Sequence, residues 1–160
     1  MNILINLRNK VSNLLSHIYK KTTWQPPIPS SIEELAKFMK EKTKWVQDPI
    51  WGLLDHIQPI DHMNYTLITK GKVEGDCDDL ATYAGYMLGR MGYTRIYRVN
   101  LITHQHVICI FRDIEEKKYY WISNSNFSGT SYTTLTFAIN GYCRWDHPGE
   151  KIGVYNTEVL

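Results

Sequence analysis

Apolar side chains recur every three or four positions through residues 1–21 (Ile3, Leu7, Val11, Leu14, Leu15, Ile18), a spacing that predicts an amphipathic helix. "WQPPIPSS" follows, where proline fixes the backbone and ends any helix, so 1–29 reads as a helical arm with its linker. A second helix is expected over "SSIEELAKFMKEKTKWV". Ser30 or Ser31 caps it, Glu33 or Glu34 stands three residues on, and Ile32, Leu35, Phe38, Met39 and Val46 keep roughly helical spacing. From Asp48 to Lys72 the pattern dissolves into Trp, His, Pro and Asn, which predicts loop with short helical turns. Periodicity returns over 77–91, where Leu80, Ala84, Met87, Leu88 and Met91 form one stripe and Gly92 supplies the stop. Gly85 and Gly89 weaken the body of that helix, which implies close packing against another element.

Beyond it the period changes to two. "RIYRVNLI" (95–102) sets Tyr97, Val99 and Leu101 on one side, and "HVICIF" (106–111) is apolar throughout, as for a strand covered on both faces. "KKYYWISN" (117–124) and "TTLTF" (133–137) are expected to be further strands. Helices come first and an antiparallel run of strands follows, so residues 30–160 are expected to form one α+β domain behind the arm.

Composition narrows the class. With 43% hydrophobic and 21% charged residues in 160, the chain can build a core and falls outside the disordered classes. A net charge of +2 with no recognisable binding motif argues against nucleic acid as a partner. No apolar run is long enough to span a membrane, and Asn and Arg interrupt the first 21 residues too often for a signal peptide. Three cysteines, Cys77, Cys109 and Cys143, lie far apart and cannot all pair; free thiols in a reducing, cytoplasmic setting are the expectation. The arm lacks tryptophan and a strongly basic face, so it is expected to pack on the domain, on a second copy or on a larger particle, not on a membrane.

One cysteine stands apart. In "GKVEGDCDDLATYAGYMLGRMGY" (71–93), Asp76 is placed to cap the helix and Asp79 to close the capping pair, which makes Cys77 the first helical residue. A sulfur there lies by unpaired N–H groups and the positive end of the helix dipole, which favour a thiolate and can hold an oxyanion. Glu74, Asp76, Asp78 and Asp79 push the other way, so a histidine partner is needed. His106 opens the apolar strand and is the candidate base, with His104 in the preceding turn as the second choice. Ser123, Asn124 and Asn126 at the end of "WISNSN" offer a third group to orient the ring. The acidic residues lack calcium-loop spacing and read as caps; Cys109 and Cys143 read as structural.

"GDCDDLA", then "HVICIF", then "YYWISN" resemble the transglutaminase-like cysteine proteases, a branch of the papain-like fold that includes the bacterial transglutaminase-like cysteine proteinases, over roughly residues 33–126. In that family the cysteine opens a helix in a G-D-C-x-D-x-A frame, the histidine starts a strand, and an aspartate ends the next strand. Gly75, Asp76, Cys77, Asp79 and Ala81 match position for position, and His106 matches the histidine. The aspartate position falls on Ser123, or on Asn124 with a shift of one residue, and neither is acidic. The resemblance also places a groove wall and a further oxyanion donor near Trp45, Trp51 and Tyr65.

The resemblance implies a papain-like core and a cysteine hydrolase or acyltransferase. Cys77 would attack an amide of a peptide or protein, His106 would carry its proton, and Asn124 or Ser123 would orient the ring, with no metal or organic cofactor. A peptidase is expected before a transglutaminase. The alternative is a transglutaminase-like binding module that keeps the groove without turnover, favoured by the missing aspartate.

Overall fold

The structure, a computed structural model, describes residues 19–47, 57–150 and 153–160. Most of the expected N-terminal helix, and Trp51, lie outside the described residues. The chain runs α1 (Ile32–Lys42), β1 (Thr43–Trp45), α2 (Ile60–Lys70), β2 (Val73–Gly75), α3 (Cys77–Arg90), β3 (Ile96–Leu101), β4 (His106–Arg112), β5 (Tyr119–Ser123), β6 (Asn126–Phe127), α4 (Leu135–Asp146) and β7 (Tyr155–Val159). The five later strands form one antiparallel sheet in the order β6-β5-β4-β3-β7, and β1 pairs in parallel with β2 in a small separate sheet. This is an α+β architecture, as the change of period predicts.

The sheet is a middle layer. On one face Ile96, Cys109, Phe111 and Ile122 pack with Leu35 and Met39 of α1, Met63 and Leu67 of α2, and Leu80, Ala84, Met87 and Leu88 of α3. On the other face Val99, Leu101, Ile108, Ile110 and Trp121 pack with Ala138, Ile139, Tyr142 and Cys143 of α4. Alternate residues of β4 therefore feed two cores, which is why "HVICIF" carries no polar face. Among the described residues no helix is long and apolar enough to cross a membrane.

Capping sets where the helices begin. The Ser31 hydroxyl accepts from the Glu34 amide at 3.2 Å, and Ser30 donates its amide and hydroxyl to the Glu34 carboxylate, each at 2.7 Å. Helix α1 stops at Lys42, short of the expected Val46, because Thr43 turns extended and enters β1. The stretch expected to be loop contains α2, which ends on Gly71 at φ +75°. Its polar run hides the pattern, since Asn64 is buried and accepts a hydrogen bond from the Tyr83 hydroxyl at 2.9 Å.

The segment 133–137 is not a strand. Thr134 caps α4, accepting from the Phe137 amide at 3.1 Å, and the threonines that resemble a strand are the approach to a helix. The spacing of Ala138, Ile139, Tyr142 and Cys143 is helical and covers the second face of the sheet.

Candidate functional site

Residue Cys77 is the first residue of α3, as its sequence frame implies. Asp76 Oδ1 accepts from the amides of Asp78 and Asp79 at 3.2 and 3.4 Å, and Asp79 Oδ2 accepts from the Asp76 amide at 3.3 Å. The cap thus consumes the Asp78 and Asp79 amides. The oxyanion donors expected at this helix end narrow to the amide of Cys77 itself. Asp79 is fully buried and is clasped by Gln58, whose backbone N–H and side-chain Nε2 each donate to it at 2.6 Å.

The glycine of the frame has a steric reason. A Cβ on Gly75 would stand 2.5 Å from Asp79 Cβ and 2.7 Å from Asp79 Oδ2. Gly75→Ala is therefore expected to destabilise the fold by about 1–3 kcal/mol through overpacking, read as a lower denaturant midpoint at unchanged slope. An unchanged midpoint would show that the cap shifts at no cost.

The register brings the mouth of β4 to this helix end. The Cys77 sulfur meets the backbone amide of Val107, the residue after His106. The His106 ring lies toward α4, with Nε2 2.9 Å from the Ser123 hydroxyl and its plane stacked on Tyr142 at 5.7 Å between centroids. Among the described residues no hydrogen bond joins the sulfur to the ring. Of the two residues expected to orient the imidazole, Ser123 meets it. Asn124 occupies the turn between β5 and β6 at φ +50°, and its buried Oδ1 has no hydrogen-bond partner among the described residues.

Ser123 is not the end of the chain of contacts. Its hydroxyl donates to the Tyr142 hydroxyl at 3.3 Å, and Tyr142 donates to Asp146 Oδ2 at 2.6 Å. Tyr142 and Asp146 sit four apart on α4, one turn along the same face. Sequence reading misses both because neither belongs to a motif; only the helical spacing after Thr134 marks the element that carries them.

Electrostatics at Cys77 follow burial and the neighbouring carboxylates. Burial pushes the Cys77 thiol up to about 11, with the Asp76 and Asp78 charges adding to it and the Val107 and Cys77 backbone amides opposing. Burial also lowers the pKa of His106; Asp146 and Asp76 oppose that, while His147 and His104 reinforce it. At rest the pair is a neutral thiol and a neutral imidazole. The helix dipole, expected to favour a thiolate, is outweighed by desolvation and by the cap's own carboxylates.

Cys109 is fully buried with its thiol pushed up to about 12, and Cys143 packs under the sheet. Trp45 is exposed and Tyr65 half-buried on α2. His104, the second choice for the base, is stacked on His147 at 4.1 Å and 14°, with its Nδ1 3.7 Å from Glu150. These three place ligand atoms within 4.8 Å of one another, but rings stacked at 14° hold their nitrogen lone pairs in nearly parallel planes, and one ion cannot lie in both. Asp76, Asp78 and Asp79 also cluster, and the first and last are occupied by capping. Neither a scan of protein-family models nor a comparison with curated proteins gives a match for this chain.

Proposed function

We propose that this chain is a cysteine-dependent acyl-transfer enzyme of the transglutaminase-like, papain-like type, hydrolysing a peptide or isopeptide amide. What carries the reading is the meeting of a helix-initiating cysteine with the strand mouth that holds His106, whose ring is fixed by Ser123 at 2.9 Å. With Nε2 turned to Ser123, Nδ1 is the nitrogen left to act as base. A hydrogen bond between the sulfur and Nδ1 of this pinned ring has to form as substrate enters, since catalytic hydrogen bonds in an empty site are often long.

In the proposed reaction the Cys77 sulfur bonds to the amide carbonyl carbon while its proton passes to His106 Nδ1. The oxyanion forms beside the Cys77 amide at the positive end of α3. His106 then protonates the leaving nitrogen, the C–N bond breaks, and a thioester remains. His106 takes a proton from water, whose oxygen attacks the thioester, and the thiol regains a proton as the acid departs. An amine in place of water would give amide exchange, the transglutaminase outcome.

The test is a burst assay with p-nitrophenyl acetate, which needs no knowledge of the natural substrate. The expected result is about one equivalent of p-nitrophenol released rapidly, with acetyl on Cys77, removable by hydroxylamine and absent in Cys77→Ser. A folded protein that shows no burst and no acetyl-Cys77 would leave the second reading, a binding module. That reading is favoured by the raised thiol pKa and by the lack of a carboxylate directly on His106.

A further inference from the structure

The aspartate that the resemblance expects beside the histidine is missing from the end of β5, yet a carboxylate reaches the ring by another route. We propose that Asp146 is the positioning carboxylate of this site, acting on His106 from α4 through the hydroxyls of Tyr142 and Ser123. The inference rests on the reading of His106 as the base and adds to it the group that decides which ring nitrogen is the base.

The hydroxyl protons fix the direction of every bond in this chain. An ionised carboxylate only accepts, so the 2.6 Å contact to Asp146 takes the one hydroxyl proton of Tyr142. Tyr142 Oη then has only lone pairs left for Ser123, and the 3.3 Å contact takes the one proton of the Ser123 hydroxyl. Ser123 Oγ is in turn left as an acceptor, so the 2.9 Å contact with His106 requires the proton to sit on Nε2. Three hydrogen bonds thus run in one direction, from ring to carboxylate, and they leave the Nδ1 lone pair available. Serine alone could not do this, because an isolated hydroxyl donates or accepts equally well and would hold either tautomer.

The packing keeps the relay in place. Tyr142 is almost fully buried, stacked on the His106 ring at 17° and edge-on to Trp121 at 5.2 Å. Trp145 adds a third aromatic contact at 5.9 Å. Burial and the bond to Asp146 both raise the Tyr142 pKa, which keeps its proton in the chain. Asp146 is shared, since His147 Nε2 lies 3.3 Å from the same oxygen. The charged and titratable groups acting on His106 are Asp146 and His147 at the end of α4, Asp76 at the cap of α3, and His104 from the turn before β4.

The test reads the ring directly by nitrogen-detected NMR of the full chain with labelled histidine, alongside iodoacetamide alkylation of Cys77. In the parent protein His106 is expected as the Nε2–H tautomer. Tyr142→Phe breaks the relay in its middle; it should give a mixture of tautomers and slow Cys77 alkylation at pH 7 in proportion to the Nε2–H form lost, about twofold for an even mixture. Asp146→Asn, which keeps an acceptor but loses the charge, should lower the His106 pKa further. Ser123→Asp places a carboxylate directly on the ring, and in that background Asp146→Asn should have no effect on tautomer or rate. A single Nε2–H tautomer and the parent alkylation rate in Tyr142→Phe and Asp146→Asn would overturn the relay, whatever their thermal midpoints. If alkylation ignores His106→Ala while the tautomer still follows Tyr142, the relay stands and the enzymatic reading is the one that fails.

Discussion

Replacing His106 by alanine is expected to slow acylation of Cys77 at pH 7 by at least a hundredfold and to change the shape of its pH dependence. With the thiol pushed up to about 11, some four units above neutrality, the free thiolate fraction at pH 7 is about one part in ten thousand. Attack at useful rates therefore needs a base that takes the proton as the sulfur–carbon bond forms, a contribution worth about 10²–10⁴-fold. Burial holds the His106 pKa below its ordinary value, so the ring is already in base form at neutrality. The parent rate should be flat from near neutrality into the alkaline range and fall as pH drops through the His106 pKa, below about 6.5. The His106→Ala rate should instead climb tenfold per pH unit toward 11, because only spontaneous thiolate reacts. A parent profile that climbs in the same way would remove the imidazole from the chemistry. The stability sign follows the same shift. A histidine with a lowered folded pKa binds fewer protons folded than unfolded, so the fold loses stability as pH falls below about 6.5.

The sequence carried the half of this site that lies on one helix and one strand. Cys77 at the start of α3 is legible because capping is local: Asp76 and Asp79 sit at fixed offsets from the first turn and nothing distant overrides them. His106 is legible for a similar reason, since a polar residue opening a wholly apolar strand marks the strand's mouth. The choice between Ser123 and Asn124 was not legible, because side-chain direction depends on where β5 ends and the turn begins. The Ser123–Asn126 pairing puts Asn124 in the turn and leaves the Ser123 hydroxyl 2.9 Å from His106 Nε2. Tyr142 and Asp146 were hidden for a different reason. Thr133, Thr134 and Thr136 at the start of α4 carry strand propensity, and tertiary packing against Trp121 and Ile108 makes the segment a helix. The thiol pKa could not be read either, since it is set by how deeply the sulfur is buried, a property of the whole fold.

Asp79→Ala is expected to cost about 3 kcal/mol of stability. The carboxylate is fully buried and, among the described residues, accepts from the Gln58 amide, the Gln58 side chain and the Asp76 amide. Alanine leaves all three without their acceptor, two of them backbone or side-chain groups of a segment that this carboxylate ties to α3. For a chain of this size the thermal midpoint should fall by about 6–12 °C. Gln58→Ala removes only the donor at 2.6 Å from its side chain and should cost about 1 kcal/mol. The difference between the two variants measures how far the G-D-C-x-D frame is a folding device. In this chain Gly75 makes room for Asp79, Asp79 closes the cap with Asp76, and the closed cap fixes where Cys77 stands. Asp79→Ala should also speed iodoacetamide labelling of Cys77, because an opened cap exposes a sulfur that burial now protects. A variant that unfolds at the parent's denaturant midpoint with unchanged labelling would show that Gln58 and Asp76 find other partners, and that the cap does not govern the cysteine.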